Sequence, residues 1–229
     1  MTFKTKSAAP RAVVRSVASQ VLAAFAIICA LALGPRPALA EPLVIVAFGD
    51  SLTAGYGLGP ADAFPVRLEA ALRQRGHDVT VLNAGVSGDT SSGGLARLDW
   101  SLPQNAGAVI LELGANDALR GLDPAVTEKA LSGILEKLAA RGVPVLLAGM
   151  KAPPNMGDAY AARFDGLYPA LAEKYGALLY PFFLDGVVAE ASLNQADGIH
   201  PNPEGVAIIV DRLLPAAEQL IARAAAPRG

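Results

Sequence analysis

Three short runs, Leu43–Phe48, Ala108–Leu113 and Val143–Ala148, are apolar nearly throughout, and they limit the fold more than any other feature. A strand apolar on both faces must be covered on both faces, which is the situation inside a parallel sheet. Val79–Asn83 and Ala177–Tyr180 read as further strands. Between them lie amphipathic helices. Phe64–Arg75 stops at Gly76, Pro124–Ala140 follows Asp123 as N-cap, and Ala159–Tyr175 ends at Gly176. A last helix opens at Pro203 after Asn202, with room for a kink at Pro215. Strand and helix alternating at this spacing imply right-handed crossovers. The expectation is one three-layer α/β domain with a parallel sheet of about five strands. Ligands then sit beyond the C-terminal strand ends.

The first 40 residues read differently. They carry Lys4, Lys6, Arg11, Arg15 and Arg36 without an acidic residue, then an apolar stretch from Val21 to Leu33 and the small-residue ending Ala38-Leu39-Ala40. That is the pattern of an export signal cleaved before Glu41, leaving 41–229 as a single domain in the periplasm or secreted. An uncleaved anchor is the alternative, although the apolar stretch is short for a bilayer span. The only cysteine, Cys29, follows Ile28, where a lipoprotein signal wants a small residue. Residues 41–229 hold 14 Lys and Arg against 21 Asp and Glu, a net charge of −7. No basic stripe is left to neutralise phosphates, so nucleic acid is not an expected partner. Nor is stable membrane insertion after cleavage.

Chemistry concentrates where strands end. Ser51 stands in Gly49-Asp50-Ser51-Leu52, three residues past the first apolar run. Its bland reading is an ordinary turn. Thr53 occupies the place where the G-x-S-x-G elbow requires glycine, which disfavours that hydrolase class. Asp197 and His200 lie three apart around Gly198, so the carboxylate can reach Nδ1 while Nε2 faces a hydroxyl. A serine hydroxyl becomes a competent nucleophile when such an imidazole takes its proton. The chain has two histidines, and His77 sits in a polar Arg-Gly-His-Asp stretch that reads as solvated loop. Gly88 follows the second strand and Asn116 the third. A backbone N–H at Gly88, the Asn116 amide and the Ser51 N–H could together receive the negative oxygen of a tetrahedral intermediate. Turn formation and helix capping are the plainer roles for both segments. Asp50 and Asp117 are expected to hold these loops down. Two distant histidines and no cysteine after Cys29 leave only carboxylates for a metal, and neither metal nor cofactor is expected.

Taken in order, Gly49-Asp50-Ser51-Leu52, the glycine of Ser87-Gly88-Asp89-Thr90, Gly114-Ala115-Asn116-Asp117 and Asp197-Gly198-Ile199-His200 resemble the four blocks of the SGNH/GDSL hydrolases. Gly94-Leu95-Ala96-Arg97-Leu98 and Tyr180-Pro181-Phe182-Phe183 extend the likeness toward the periplasmic thioesterase I/lysophospholipase and arylesterase branch. The resemblance implies a flavodoxin-like fold and an esterase. It makes Ser51 the nucleophile, His200 the base, Asp197 its orienter, and Ser51 N, Gly88 N and Asn116 the oxyanion hole. The third block has alanine where relatives often have a second glycine.

The implied substrates are small-molecule or lipid esters, among them aryl esters, acyl-CoA and lysophospholipids. Pro154, Asn155 and Met156, in the loop Lys151–Arg163, read as an apolar lip over an acyl chain. A carbohydrate O-acetylesterase of the same fold is the alternative, and a non-catalytic periplasmic binding module a more distant one.

Overall fold

The computed structural model describes residues 1–3 and 41–226. The export-signal reading of 1–40 therefore falls almost entirely outside the described residues. From Pro42 onward the chain forms one compact unit.

Its sheet has five parallel strands: β1 (Leu43–Gly49), β2 (Val79–Gly85), β3 (Ala108–Glu112), β4 (Val145–Ala148) and β5 (Leu178–Tyr180), in the order β2-β1-β3-β4-β5. The helices are α1 (Ser51–Ala54), α2 (Phe64–Gln74), α3 (Ser91–Ser101), α4 (Ala115–Leu119), α5 (Pro124–Ala140), α6 (Asp158–Tyr175) and α7 (Pro203–Ala225). The step from β1 to β2 runs one way along the sheet and every later step runs the other way. With right-handed crossovers, α2 covers one face and α3, α5 and α6 the opposite face. The contacts follow this division: α2 packs on α7, while α3 packs on α5 and α5 on α6.

The apolar runs behave as their composition requires. Ile45, Val46, Ala47 and Phe48 of β1, Val109–Leu111 of β3 and Leu146 and Leu147 of β4 are fully buried, under Leu68 and Leu72 of α2, Leu131, Ile134 and Leu138 of α5, and Ile209 and Leu213 of α7. The order of strands also reverses direction between β1 and β3, and a crevice opens at such a point. Ser51 follows β1 and Asn116 follows β3, so the fold itself brings these two segments to one crevice.

Two expectations shift. Strand limits move by one or two residues, with β3 ending at Glu112 and β2 running to Gly85. The helix α7 continues through Pro215. Three helices are additional: α1 and α4 are single short turns after β1 and β3, and α3 has Gly93 and Gly94 in its first turn and little amphipathic pattern, so periodicity does not reveal it. Packing explains Gly94. A Cβ there would lie 2.3 Å from Leu113 Cδ1 and 3.3 Å from Phe48 Cε1.

Gly166, in the middle of α6, has nothing within 4 Å of the same position. Alanine is the better helix former by about 0.8–1 kcal/mol. Gly166→Ala is thus expected to raise stability by up to about 1 kcal/mol, whereas Gly94→Ala loses about 1–3 kcal/mol by overpacking. Urea denaturation of the two variants checks the opposite signs.

Candidate active site

The turn that carries Ser51 is built by its neighbours. Asp50 caps α1, its Oδ1 accepting from Leu52 N at 3.0 Å, and places Ser51 as the first residue of that helix. Gly49 and Gly85 are register partners at the ends of β1 and β2. A Cβ on Gly85 would lie 2.3 Å from Ala54 N, and one on Gly49 would lie 2.1 Å from Thr53 Oγ1, so side chains at either position would push the turn away. Arg97 of α3 fastens both strand ends. It donates to Gly49 O at 2.8 Å and to Ala84 O at 2.9 Å, pairs with Asp89, and lies 4.1 Å over the Phe48 ring.

His200 comes from the segment before α7. Its Nε2 is 2.9 Å from Ser51 Oγ, and its Nδ1 is 2.7 Å from Asp197 Oδ2. Asp197 Oδ1 also accepts from the backbone N–H groups of Ile199 and His200, each at 3.0 Å. The hydrogen bond from the His200 side chain, with these two N–H groups, holds the Asp197 carboxyl down at about 2. Tyr56 packs on the imidazole with ring centroids 4.6 Å apart. Gln195 ties the two loops together: its N–H donates to His200 O, and its Nε2 donates to Tyr56 O and Pro201 O. His77 lies in the connection leading into β2, at the opposite end of the strands, against Glu218.

Asn116 does not cap a helix. The N-cap of α4 is Gly114, and Asn116 Nδ2 instead donates to Asp50 Oδ2 at 3.0 Å. Gly88 sits in the loop after β2 with φ +83°, its carbonyl accepting from Arg120 just beyond α4 at 2.7 Å. Asp117 is buried and gathers Ser91 N, Ser91 Oγ and Thr127 Oγ1, tying the starts of α3, α4 and α5 together. The loop-holding roles expected of Asp50 and Asp117 are thus visible as contacts. A residue the sequence did not single out, Glu112 at the end of β3, lies beside Asp50. Its Oε2 accepts from Thr53 Oγ1 at 2.8 Å and from Asp50 N at 3.3 Å.

Both acids are fully buried. Burial raises Asp50 to about 6 against the opposing pull of the Leu52 N–H, Asn116 and His200. Burial, and then the charge of Asp50, push Glu112 well above the carboxylate range. A carboxyl whose folded value is raised contributes its stability in the protonated form. That contribution is lost as pH rises through the folded value, for Asp50 between about 4 and 6. Asp197 has the opposite sign, stabilising above the ordinary range and losing this as pH falls toward 2.

Ser51, Asn116 and His200 line a pocket of about 460 Å³ whose other walls are largely aliphatic, including Leu119, Leu184, Val188 and Ile199. The size is that of a small-molecule site. Of the three lip residues, Pro154 lines this pocket. Asn155 and Met156 are not part of its lining. They complete a single 3₁₀ turn, Pro154–Met156, in which Met156 approaches Gly121. Lys151, Ala152, Pro153 and Pro154 of the loop after β4 form one wall of the pocket, and Phe182, Leu184, Val188 and Ile199 from the stretch between β5 and α7 form another. A nucleophile, a base and an orienting acid in hydrogen-bonded sequence at the mouth of an apolar pocket can carry out acyl transfer.

Known proteins resemble this chain along most of its length. Esterase TesA of Pseudomonas aeruginosa is 40% identical over 193 residues, 84% of this chain and 95% of that protein. Thioesterase 1/protease 1/lysophospholipase L1 of Escherichia coli is 38% identical over 187 residues, 81% of this chain and 88% of that protein. The crystal structure of AlinE4, an SGNH-hydrolase family esterase, superposes with a TM-score of 0.67 at 48% identity, over 83% of this chain and all of that one. The model of the GDSL-like lipase/acylhydrolase family matches residues 47–208, a span that runs from the end of β1 into α7 and encloses Ser51, Asn116 and His200, and the chain belongs to that family.

Proposed function

We propose that the protein is an exported serine esterase that hydrolyses carboxylic esters and thioesters through an acyl-enzyme. The observation that carries this reading is the unbroken chain Asp197–His200–Ser51 opening into an apolar pocket. Ser51 Oγ attacks the acyl carbonyl while His200 Nε2 takes its proton, and Asp197 holds the imidazolium in place. The N–H groups of Ser51 and Gly88 and the Asn116 amide receive the oxyanion. His200 returns the proton to the leaving group, and a water activated in the same way frees the acid.

The aliphatic walls suit an acyl chain, with each buried CH₂ worth about 0.8 kcal/mol. Phe182 is the one aromatic ring among the described residues of the lining. That favours acyl chains over sugars stacked on rings, and aryl esters, acyl-CoA and lysophospholipids over O-acetylated carbohydrates. The basic start and apolar stretch of residues 1–40 support export and removal of that segment, with 41–229 working in the periplasm or outside the cell. Among the described residues, no helix is long and apolar enough to cross a membrane.

Ser51→Ala is expected to abolish hydrolysis of a short p-nitrophenyl ester, and a serine-directed phosphonate should label Ser51 alone. Labelling at Ser87 or Ser91 would overturn the assignment.

Proton uptake by His200 removes the base, so kcat/KM should fall on acidification, without a contribution from Asp197, which stays ionised down to about 2. A chelator should leave the rate unchanged. Activity lost to EDTA and restored by a divalent metal would replace the metal-free mechanism.

Asn116→Ala should lower kcat by roughly 10²–10³, the usual effect of one oxyanion donor, with little change in KM. A variant with a lower melting temperature and unchanged kcat would remove Asn116 from the oxyanion hole.

A further inference from the structure

Beneath the oxyanion hole lies a pair of carboxyls that the acyl-transfer steps do not use. Asp50 and Glu112 are both inaccessible to solvent, and they meet through Asp50 N and Glu112 Oε2. Among the described residues, neither forms a salt bridge to a lysine or arginine. Arg97 donates to the carbonyls of Gly49 and Ala84 and to Ser101 Oγ and pairs with Asp89, not with either of these acids. Glu112 Oε1 is buried and meets no N–H or O–H group of the protein. Two uncompensated anions at this depth would cost far more than the fold can supply, so one must hold its proton.

The contacts divide the two roles. Both Asp50 oxygens accept, one from Leu52 N and one from Asn116 Nδ2. Glu112 has one accepting oxygen, Oε2, and one free for a proton.

We propose that Asp50 and Glu112 form a one-proton positioning unit for the oxyanion hole, in which Glu112 is the neutral acid and Asp50 the anion that orients the Asn116 amide. A carboxylate only accepts, so it determines which end of the amide faces it: the NH₂ group turns to Asp50, and the carbonyl oxygen turns away. One N–H is then committed to Asp50 and the second is left for the acyl oxygen. Glu112 keeps the charge beneath the hole at one, since a second anion there would oppose the developing oxyanion. Burial raises both carboxyls, and the charge of Asp50 raises Glu112 as well, which accords with a proton held on the pair.

The inference rests on the oxyanion reading of Asn116, and a double-mutant cycle separates the two. In Asp50→Asn the side chain keeps its size, but with its oxygen on Leu52 N its own NH₂ faces that of Asn116, donor against donor. D50N is expected to lower kcat at least about tenfold with KM within about twofold. In the N116A background the same change should cost no more than about twofold, since nothing remains to be oriented. Effects that multiply would overturn the proposal. An N116A variant with normal kcat would overturn the oxyanion reading instead.

Infrared spectroscopy tests the proton directly and does not depend on D50N folding. At mildly alkaline pH the wild-type protein should show the C=O band of a buried carboxylic acid, and E112Q should lack it. A wild-type protein without that band, or a band that survives E112Q, would overturn the assignment to Glu112.

Discussion

β1 is hydrogen-bonded on both edges, to β2 and to β3, and buried on both faces. A strand held in this way leaves its last residue almost no freedom, and the site depends on that fixity. Gly49, Asp50 and Ser51 leave the sheet at one defined point, with Gly85 of β2 beside Gly49 and Glu112 of β3 on the other side. Arg97 then draws the ends of β1 and β2 together. The Ser51 hydroxyl is therefore placed by the middle of the fold, whereas His200 is brought to it from the segment preceding the last helix.

The electrostatics divide along the same line. On the solvent side, Asp197 is ionised down to about 2 because backbone N–H groups and the imidazole surround it. On the core side, Asp50 and Glu112 are raised because burial removes them from water, and Glu112 also because the Asp50 charge lies beside it. Carboxyl groups on either side of Ser51 thus have opposite tendencies at the same pH, set by hydration and by N–H donors rather than by residue type.

How far the chain could be read in advance follows from what each feature depends on. Ser51, Gly88 and Asn116 lie in short motifs just past strand ends and Asp197 and His200 in one turn before α7, and it was the co-occurrence of these motifs, with their resemblance to the SGNH/GDSL blocks, that singled them out. β1, β3 and β4 were legible because burial on two faces demands continuous apolar runs, and β2 and β5, at the sheet edges, as short runs bounded by turn residues. α3 was not, since Gly93 and Gly94 weaken its pattern and Gly94 answers to Leu113, far along the chain. Gln195 reaches Tyr56 across 139 positions and Arg97 reaches Gly49 across 48, contacts which no local pattern encodes. Glu112 was hidden for a different reason: at the end of an apolar run an acid looks like the strand's exit into water, but here it is sealed in. Val188 and Ile199, which also line the pocket, were not legible because they lie in a stretch without regular periodicity.

One feature of the His200 turn reaches beyond catalysis. Asp197 holds both the ring and the backbone of His200, so acid and base form a single rigid piece rather than two side chains that must find each other. That piece is joined to the rest of the site by Gln195, by the packing of Tyr56 and by the pairing of Asn194 with Pro201. The carboxylate and the imidazole are therefore aligned by their own turn, and the rest of the long segment after β5, which supplies Leu184 and Val188 to the pocket wall, is free to vary in sequence without entering that alignment.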